Sequence, residues 1–435
     1  MKIAFHTLGC KVNQYETEAM KEKFSAMGHE IVGEQDFAHV YVINTCTVTN
    51  LADRKSRQYI RKMKRVNPES LVVVTGCYAQ VAPDEVAEIE GVGLVVGTGE
   101  KSQIPIYVEE MLGDNSAEAV CHVRDYKDLK EYESDGIITS MESRTRAYIK
   151  IEEGCNRFCS YCIIPYARGQ VRSRDMEEIA EEAEGLISAG FKELILTGIN
   201  TALYGTDLGL GGIAPLIGRL NSIEGNFRIR LSSLEPTVID AEYVKKLFAY
   251  PKLCHHLHLS IQSGSNKILK YMNRRYTREE YLEIVENLRA FDPLYGVTTD
   301  IIVGFPGEDD ADFADSLRIT EEAAFCKVHG FKYSKRKGTA AALMTGQVRA
   351  EISKMRMDEL EEAARKSEER FFDANKGMEA RVLLEEAGED GMLRGYSDNY
   401  IRVYVEGNPT MLNDFCQVVL VEKYKDGMKG ELKNE

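Results

Sequence analysis

Three thiols stand close together in the run Cys155-Asn-Arg-Phe-Cys159-Ser-Tyr-Cys162, a C-x3-C-x2-C spacing. Thiolates at this spacing can hold three irons of a 4Fe–4S cubane and leave the fourth iron without a protein ligand. An open iron can chelate a small molecule that carries an amine and a carboxylate. Arg157, inside the run, would offset the negative charge of the thiolates. A zinc loop is the competing chemistry. Zinc usually closes with four ligands, and no fourth Cys or His lies near this run.

Cys10, Cys46 and Cys77 are far apart in sequence, yet each follows a short β-branched run: Ile3–Phe5, Val42–Ile43 and Val72–Thr75. In an open parallel sheet the carboxyl ends of the strands share one edge, where ligands bind. The three thiols are therefore expected to converge as a second cluster site. Gly9 and Gly76 precede two of them and would let the backbone come close to a bulky group. The plainer alternative is three buried packing cysteines, which is how Cys121, Cys254, Cys326 and Cys416 read. With 10 cysteines in a chain of this length, ligation is a better expectation than a disulfide framework, provided the protein resides in a reducing cytoplasm.

The elements that must position these residues fall into three groups. Strands at Lys2–Phe5, His39–Ile43, Leu71–Thr75 and Leu94–Val96 alternate with helices at Asn13–Met27, Leu51–Val66 and Pro83–Glu90, which predicts an open parallel α/β sheet over residues 1–113. Residues 114–146 read as a charged connector. From residue 147 the alternation resumes. Strands at Ala147–Ile151, Glu193–Thr197, Phe227–Leu231, His256–Ile261, Val297–Val303 and Cys326–Tyr333 predict a partial (β/α)6 TIM-like barrel to about residue 345. A linker helix continues to residue 376, and residues 377–435 read as a small all-β module.

A barrel builds its site from the loops at the carboxyl ends of its strands. Thr197, Gly198 and Asn200 follow the second strand and can meet the amine and carboxylate of the chelated molecule. Glu235 follows the third; Gln262 and Ser263 follow the fourth; Val303 and Phe305 lie at the fifth. If the molecule is S-adenosylmethionine (SAM), Glu235 and Gln262 can bond its ribose, and Val303–Phe305 can pack on its adenine. Among the histidines, His256 and His258 share one strand face and read as barrel lining.

The formal net charge is −15, which argues against nucleic-acid binding by bulk attraction. One local exception is RKSRQYIRKMKR, where Arg54, Lys55, Arg57, Arg61, Lys62, Lys64 and Arg65 come with no acid. A solvated helix face is the alternative reading. No apolar run is long enough for a membrane span. The start, MKIAFHTLGCKVNQ, lacks a secretory apolar region, so a cytoplasmic protein is expected.

These motifs resemble the radical SAM methylthiotransferases over nearly the whole chain. The matching segments are TLGCKVNQYETE, INTCTVT, VTGCYAQ, YIKIEEGCNRFCSYCIIPYARGQVRSR, LHLSIQSGS, TTDIIVGFPGE and KYSKRKGTAAA. The terminal β module looks like a TRAM domain. The resemblance implies two 4Fe–4S clusters, one on Cys155, Cys159 and Cys162 and one on Cys10, Cys46 and Cys77. It implies two SAM molecules per turnover: one methylates a sulfur carried by the auxiliary cluster, and the other is cleaved reductively to a radical. It also implies tRNA as partner, an electron donor such as flavodoxin or ferredoxin, and a sulfur source. Phrase similarity is strongest to the MtaB type, which acts at C2 of N6-threonylcarbamoyladenosine beside the anticodon. Sister types act on isopentenyladenosine in tRNA or on a ribosomal-protein aspartate. An iron–sulfur electron carrier without radical chemistry is the alternative of another class.

The terminal module departs from a phosphate-gripping surface. Glu379, Glu385, Glu386, Glu389 and Asp390 outnumber Arg381 in its first stretch. The expected RNA contacts therefore shift to Arg54, Lys55, Arg57, Arg61 and Lys62, and to Arg168, Arg172 and Arg174. Arg144 and Arg146 are candidates to read the threonylcarbamoyl carboxylate.

Overall fold

β-Branched runs buried on both faces must lie inside a parallel sheet covered by helices, and the first domain is built this way. The structure, a computed structural model, describes residues 1–111, 119–141 and 145–433. Strands β1 (Lys2–Thr7), β2 (Glu30–Val32), β3 (Val40–Thr45), β4 (Leu71–Gly76), β5 (Val92–Val96) and β6 (Val120–His122) pair in the order β2-β1-β3-β4-β5-β6, all parallel. Helices α1 (Lys11–Ala26), α2 (Asn50–Val66), α3 (Cys77–Val81), α4 (Pro83–Ala87) and α5 (Ile104–Met111) connect them. Along β3 the side chains alternate between two cores. Tyr41 and Ile43 pack with Ile60 and Met63 of α2, whereas Val40 and Val42 pack with Met20 and Phe24 of α1. Strand β6 lies in the stretch read as connector, and Leu129 and Ile138 beyond it are buried.

The second domain contributes β7 (Arg146–Lys150), β8 (Glu152–Glu153), α6 (Ile164–Arg168), β9 (Arg172–Ser173), α7 (Met176–Ser188), β10 (Glu193–Thr197), α8 (Ala214–Asn221), β11 (Arg228–Leu231), β12 (Ser233–Leu234), α9 (Ala241–Leu247), β13 (His256–Leu259), α10 (Asn266–Tyr271), α11 (Arg278–Phe291), β14 (Gly296–Val303), α12 (Asp310–Glu322) and β15 (Lys327–Lys332). Two parallel sheets, β11-β10-β7 and β12-β13-β14-β15, curve into one partial barrel. A parallel bridge between Ile229 and Leu253 joins them. One apolar core runs through both sheets and the helices outside them. The open flank at β7 is met by α1 of the first domain.

Helix α13 (Ala350–Asn375) packs along β15, where Gly330 lets Met357 come close. It leads to β16 (Glu379–Ala387), β17 (Met392–Ser397), β18 (Arg402–Glu406), β19 (Phe415–Tyr424) and β20 (Gly427–Leu432), which close a small barrel in the order β16-β17-β18-β20-β19. The β17–β18 turn inserts at the amino ends of the larger barrel's strands. There Arg228 and Arg230 donate to the carbonyls of Tyr396, Ser397 and Asp398 at 3.0–3.1 Å. Tyr400 stacks on His256 at 4.3 Å between ring centres. The module's acids are neutralised locally: Glu379 pairs with Lys433, Glu386 with Arg394 and Arg402, and Asp390 with Lys425.

Candidate active site

The Cys155 loop leaves the carboxyl end of β7 and is pinched at its base by antiparallel pairing of β8 with β9. Gly154, at φ +79°, makes the turn into the loop, where a Cβ would strike the Gln170 carbonyl. The amide of Cys155 donates to the Gly169 carbonyl at 3.0 Å, and that of Cys162 to the Cys159 carbonyl at 2.9 Å. Burial pushes the Cys155 thiol up to about 11 and the Cys162 thiol up to about 12. Iron that displaces these protons relieves the mismatch between thiolate and burial. Among the described residues no three His, Cys, Asp or Glu side chains gather tightly enough to hold a single metal ion.

Three buried polar atoms beside this loop lack hydrogen-bond partners: Glu152 Oε2, Asn200 Oδ1 and Ser232 Oγ, from the loops after β7, β10 and β11. The other Glu152 oxygen accepts from the Asn200 amide. Gly198 is needed because a side chain there would strike Glu152. Burial raises Glu152 to about 8. Sequence reasoning missed Glu152, although the acidic pair Glu152-Glu153 before Gly154-Cys155 was its visible signal.

The other expected ligand contacts divide. Asn200 Nδ2 donates to Glu235 at 3.3 Å, so these two stand together. Arg157 turns to Glu235 and to Thr237 Oγ1 rather than to the thiols. The cation acting on Cys162 is Arg274, which also donates to the Tyr161 hydroxyl at 2.7 Å. Gln262 takes a positive φ of 72° and is buried, as is Thr197. The Ser263 hydroxyl is spent on the Ser265 amide and on Ser316. Val303 lies in the main core, and Phe305 packs among Ile268, Met272 and Ala341. Those two side chains therefore serve packing rather than an open adenine slot.

Cys10 caps α1, Cys46 follows β3, and Cys77 opens α3, all at the carboxyl edge of the first sheet. The three thiols act on one another electrostatically. A Cβ on Gly9 would lie 2.8 Å from that of Cys46, so only glycine lets the Cys10 turn reach it. Burial pushes the Cys46 thiol up to about 12. Helix α3, which begins at Cys77, packs on α6, which begins just after Cys162. The two triads thus flank one short helix.

Arg168, at the end of α6, is the cation between them. Its charge acts on Cys10 and Cys46. It donates to Glu16 at 2.5 Å, to Asn13 at 2.8 Å and to Glu153 at 3.0 Å. This corrects the expectation for the three arginines after the cluster loop. Arg168, Arg172 and Arg174 are 0%, 3% and 1% exposed, and they pair with Glu16, Glu153, Glu178 and Glu182. Buried, paired guanidinium groups cannot reach RNA phosphates; Arg168 and Arg174 instead reach Glu16, Asn13 and Tyr15 of the first domain, and Arg172 braces Glu153. The α2 candidates differ. Arg54, Lys55, Arg61 and Lys62 are exposed, whereas Arg57 is tied to Glu85 and Tyr78.

The barrel lumen holds polar groups below the cluster loop. His258 bonds Thr298, Ser260 and Asp300 at 2.9–3.1 Å. At the strand starts, Glu193 is gripped by Arg228 and Arg230. Arg146 pairs with Glu385 at 2.8 Å and lies 5.2 Å from the Tyr396 ring. Arg144 lies outside the described residues.

Comparison with known proteins agrees with this architecture. The Radical SAM superfamily model matches residues 149–319, and that of an uncharacterized protein family, UPF0004, matches residues 2–97. The threonylcarbamoyladenosine tRNA methylthiotransferase MtaB of Bacillus subtilis is 41% identical over 97% of this chain and 94% of its own. The protein of the same name from Aquifex aeolicus is 42% identical over 94% of this chain and 97% of its own. A tRNA-2-methylthio-N(6)-dimethylallyladenosine synthase of Moorella thermoacetica is 35% identical over 98% and 97%. Among solved structures, the radical SAM methyltransferase TsrM of Kitasatospora setae shares the fold, with a TM-score of 0.59 at 15% identity over 79% of this chain and 77% of that one. No described helix is long and apolar enough to cross a membrane. Near-complete coverage at this identity decides the family: the chain belongs to the radical SAM methylthiotransferases, and among them to the MtaB type.

Proposed function

We propose that this enzyme installs a methylthio group at C2 of N6-threonylcarbamoyladenosine beside the tRNA anticodon. The observation that carries the reading is the pair of cysteine triads on either side of α6, in a chain that matches the MtaB relatives from end to end. Cys155, Cys159 and Cys162 would hold the cluster that binds SAM, and Cys10, Cys46 and Cys77 a second one. Bound there, the clusters supply reductive SAM cleavage and a site for sulfur. The chain's own residues do the rest. Glu152, Asn200 and Ser232 offer polar atoms to the amino-acid end of SAM, and Glu235 is held beside Asn200. The closed barrel floor keeps bulk water from the reacting base. The exposed cations of α2 face RNA phosphates, and an unpaired anticodon-loop base can enter the barrel mouth. Flavodoxin or ferredoxin fits as electron donor, alongside a separate sulfur source.

Mass spectrometry of tRNA nucleosides from a deletion strain tests the substrate. The expected result is loss of the methylthio form of threonylcarbamoyladenosine with its precursor retained. Loss of methylthio-isopentenyladenosine instead, or no change in tRNA, moves the assignment to a sister type. Anaerobic reduction with SAM tests the chemistry, because an electron carrier would yield no 5′-deoxyadenosine.

A further inference from the structure

The Cys155 loop has an outer side that the reaction so far does not use. Phe158 stands directly before Cys159, takes a positive φ of 47° and is 47% exposed. Beside it the loop is covered by two segments. The Ser160 amide donates to the Met272 carbonyl at 3.0 Å, and the Ser160 hydroxyl to the Tyr271 carbonyl at 2.7 Å. Asn273 Nδ2 donates to the Phe158 carbonyl at 3.0 Å. From the loop after β15, the Ala341 amide donates to the Ser160 carbonyl at 2.7 Å. Each covering segment turns a large apolar side chain to solvent: Tyr271, at the end of α10, is 45% exposed, and Leu343, two residues beyond Ala341, is 89% exposed.

Charge marks the same face. The chain carries a net charge of −15, yet residues 154–174, 243–278 and 323–350 contain no Asp or Glu. These are the cluster loop and the two stretches that cover it. Lys270 and Arg275 are exposed, and neither side chain has a hydrogen-bond or ion-pair partner among the described residues. Acids at the rim are engaged. Asp309 and Asp312 hold Lys267, Asp310 holds Arg356, Glu279 accepts from Asn266, and Glu280 caps Thr277.

Exposed apolar side chains grouped on one surface mark an interaction site. Apolar groups ringed by a few free cations suit an acidic protein, because complementary charge steers and orients the encounter. RNA phosphates are better served by a dense row of cations, such as the outer face of α2. SAM and the base belong on the barrel side of the loop, with Glu152, Asn200 and Ser232. A partner on the outer side needs to reach only a cluster ligand, and Phe158 adjoins one. Reductive SAM cleavage demands such a partner, since each event consumes one electron from outside.

We infer that Phe158, Lys270, Tyr271, Arg275 and Leu343 form the docking face for the protein electron donor, a small acidic one-electron carrier. The carrier is oxidised by one electron, the Cys155 cluster is reduced by one, and that electron then breaks the sulfonium–carbon bond of SAM. This rests on the radical reading given above.

The test titrates holoenzyme anaerobically with a purified acidic flavodoxin, at low and high salt. Wild-type enzyme should bind it, and less tightly as salt rises. Lys270→Glu combined with Arg275→Glu should weaken binding roughly 10- to 100-fold, the scale of like charges set against each other. Iron content, anticodon stem-loop affinity and 5′-deoxyadenosine formation driven by dithionite, which needs no docking, should stay at wild-type levels. Leu343→Ser should weaken flavodoxin binding without changing its salt dependence. If the charge reversal loses iron, Lys270→Gln with Arg275→Gln takes its place and should weaken binding and flatten its salt dependence. Unchanged flavodoxin affinity in iron-replete variants overturns the inference. Loss of stem-loop affinity with flavodoxin affinity kept also overturns it and assigns the face to RNA. Wild-type enzyme that forms 5′-deoxyadenosine with dithionite, yet binds neither flavodoxin nor a ferredoxin, overturns the inference and leaves the radical reading standing. No 5′-deoxyadenosine from any reductant, with both clusters intact, overturns both.

Discussion

At the scale of single residues, the two cysteine triads are predicted to separate two halves of the reaction. Cys162→Ala should abolish 5′-deoxyadenosine formation. Cys77→Ala should leave SAM cleavage measurable yet give no methylthio product. In each variant iron should fall from about eight to about four per chain. A second prediction concerns pH. Burial raises Glu385 to about 7 from an ordinary 4.5, against the lowering effect of Arg146. A carboxyl with a raised folded-state pKa holds its proton longer in the folded chain than in the unfolded one. Its contribution to stability is therefore fully present below about pH 4.5 and is lost as pH rises to about 7. Glu193 behaves oppositely: Arg228 and Arg230 outweigh its burial and hold it well below the usual range, so its contribution is lost only in acid. Melting temperatures of Glu385→Gln should fall less than wild type between pH 5 and pH 8; parallel curves would refute this. The thiols were legible in sequence because Cys155, Cys159 and Cys162 share one short run and Cys10, Cys46 and Cys77 each follow a strand. Glu152 and Arg274 were not, because their roles arise only when separate loops meet.

At the scale of elements, α2 has one packed face and one exposed face, the latter proposed above to meet RNA. Its N-terminal turn is stapled to the loop after β15 by Arg336, which donates to Asn50 Oδ1 at 2.6 Å and Thr47 Oγ1 at 2.5 Å and pairs with Asp53 at 2.7 Å. Arg336→Ala should cost roughly 3 kcal/mol, the scale for breaking a buried pair, and hydrogen exchange should rise first in the opening turn of α2. The outer face is free to meet RNA. Replacing Arg54, Lys55 and Arg61 by Gln should reduce the slope of log K against log salt for tRNA by roughly 2 to 3, with RNA-independent SAM cleavage unchanged. The parallel sheet and the longer barrel strands were readable because long buried runs leave a pattern; the two-residue strand β12 was not. The edge strands β2 and β6 have three residues each, too few for a period to register. Arg168, Arg172 and Arg174 read as surface because the acids that bury them lie as far away in sequence as Glu16.

At the scale of the whole molecule, the first domain covers the barrel's open flank and the terminal module plugs its floor. Tyr400 is central to the plug: it stacks on His256 and lies 5.2 Å from the Arg230 guanidinium. Tyr400→Ala should lower the melting temperature of the barrel itself, with a loss of about 2 to 4 kcal/mol from the emptied aromatic site. A purely RNA-binding module would instead show weakened tRNA affinity at unchanged stability. The plug also bears on modularity. Gly296 faces the Asn399 carbonyl so closely that no side chain would fit between them, and Asn399 bridges Leu294 and the end of α13. The module and the barrel are thus keyed to each other residue by residue. A chimaera that borrows a relative's terminal domain inherits its turn without the matching socket, so grafting must carry the strand starts at Glu193, Arg228, Arg230 and Gly296 along with it.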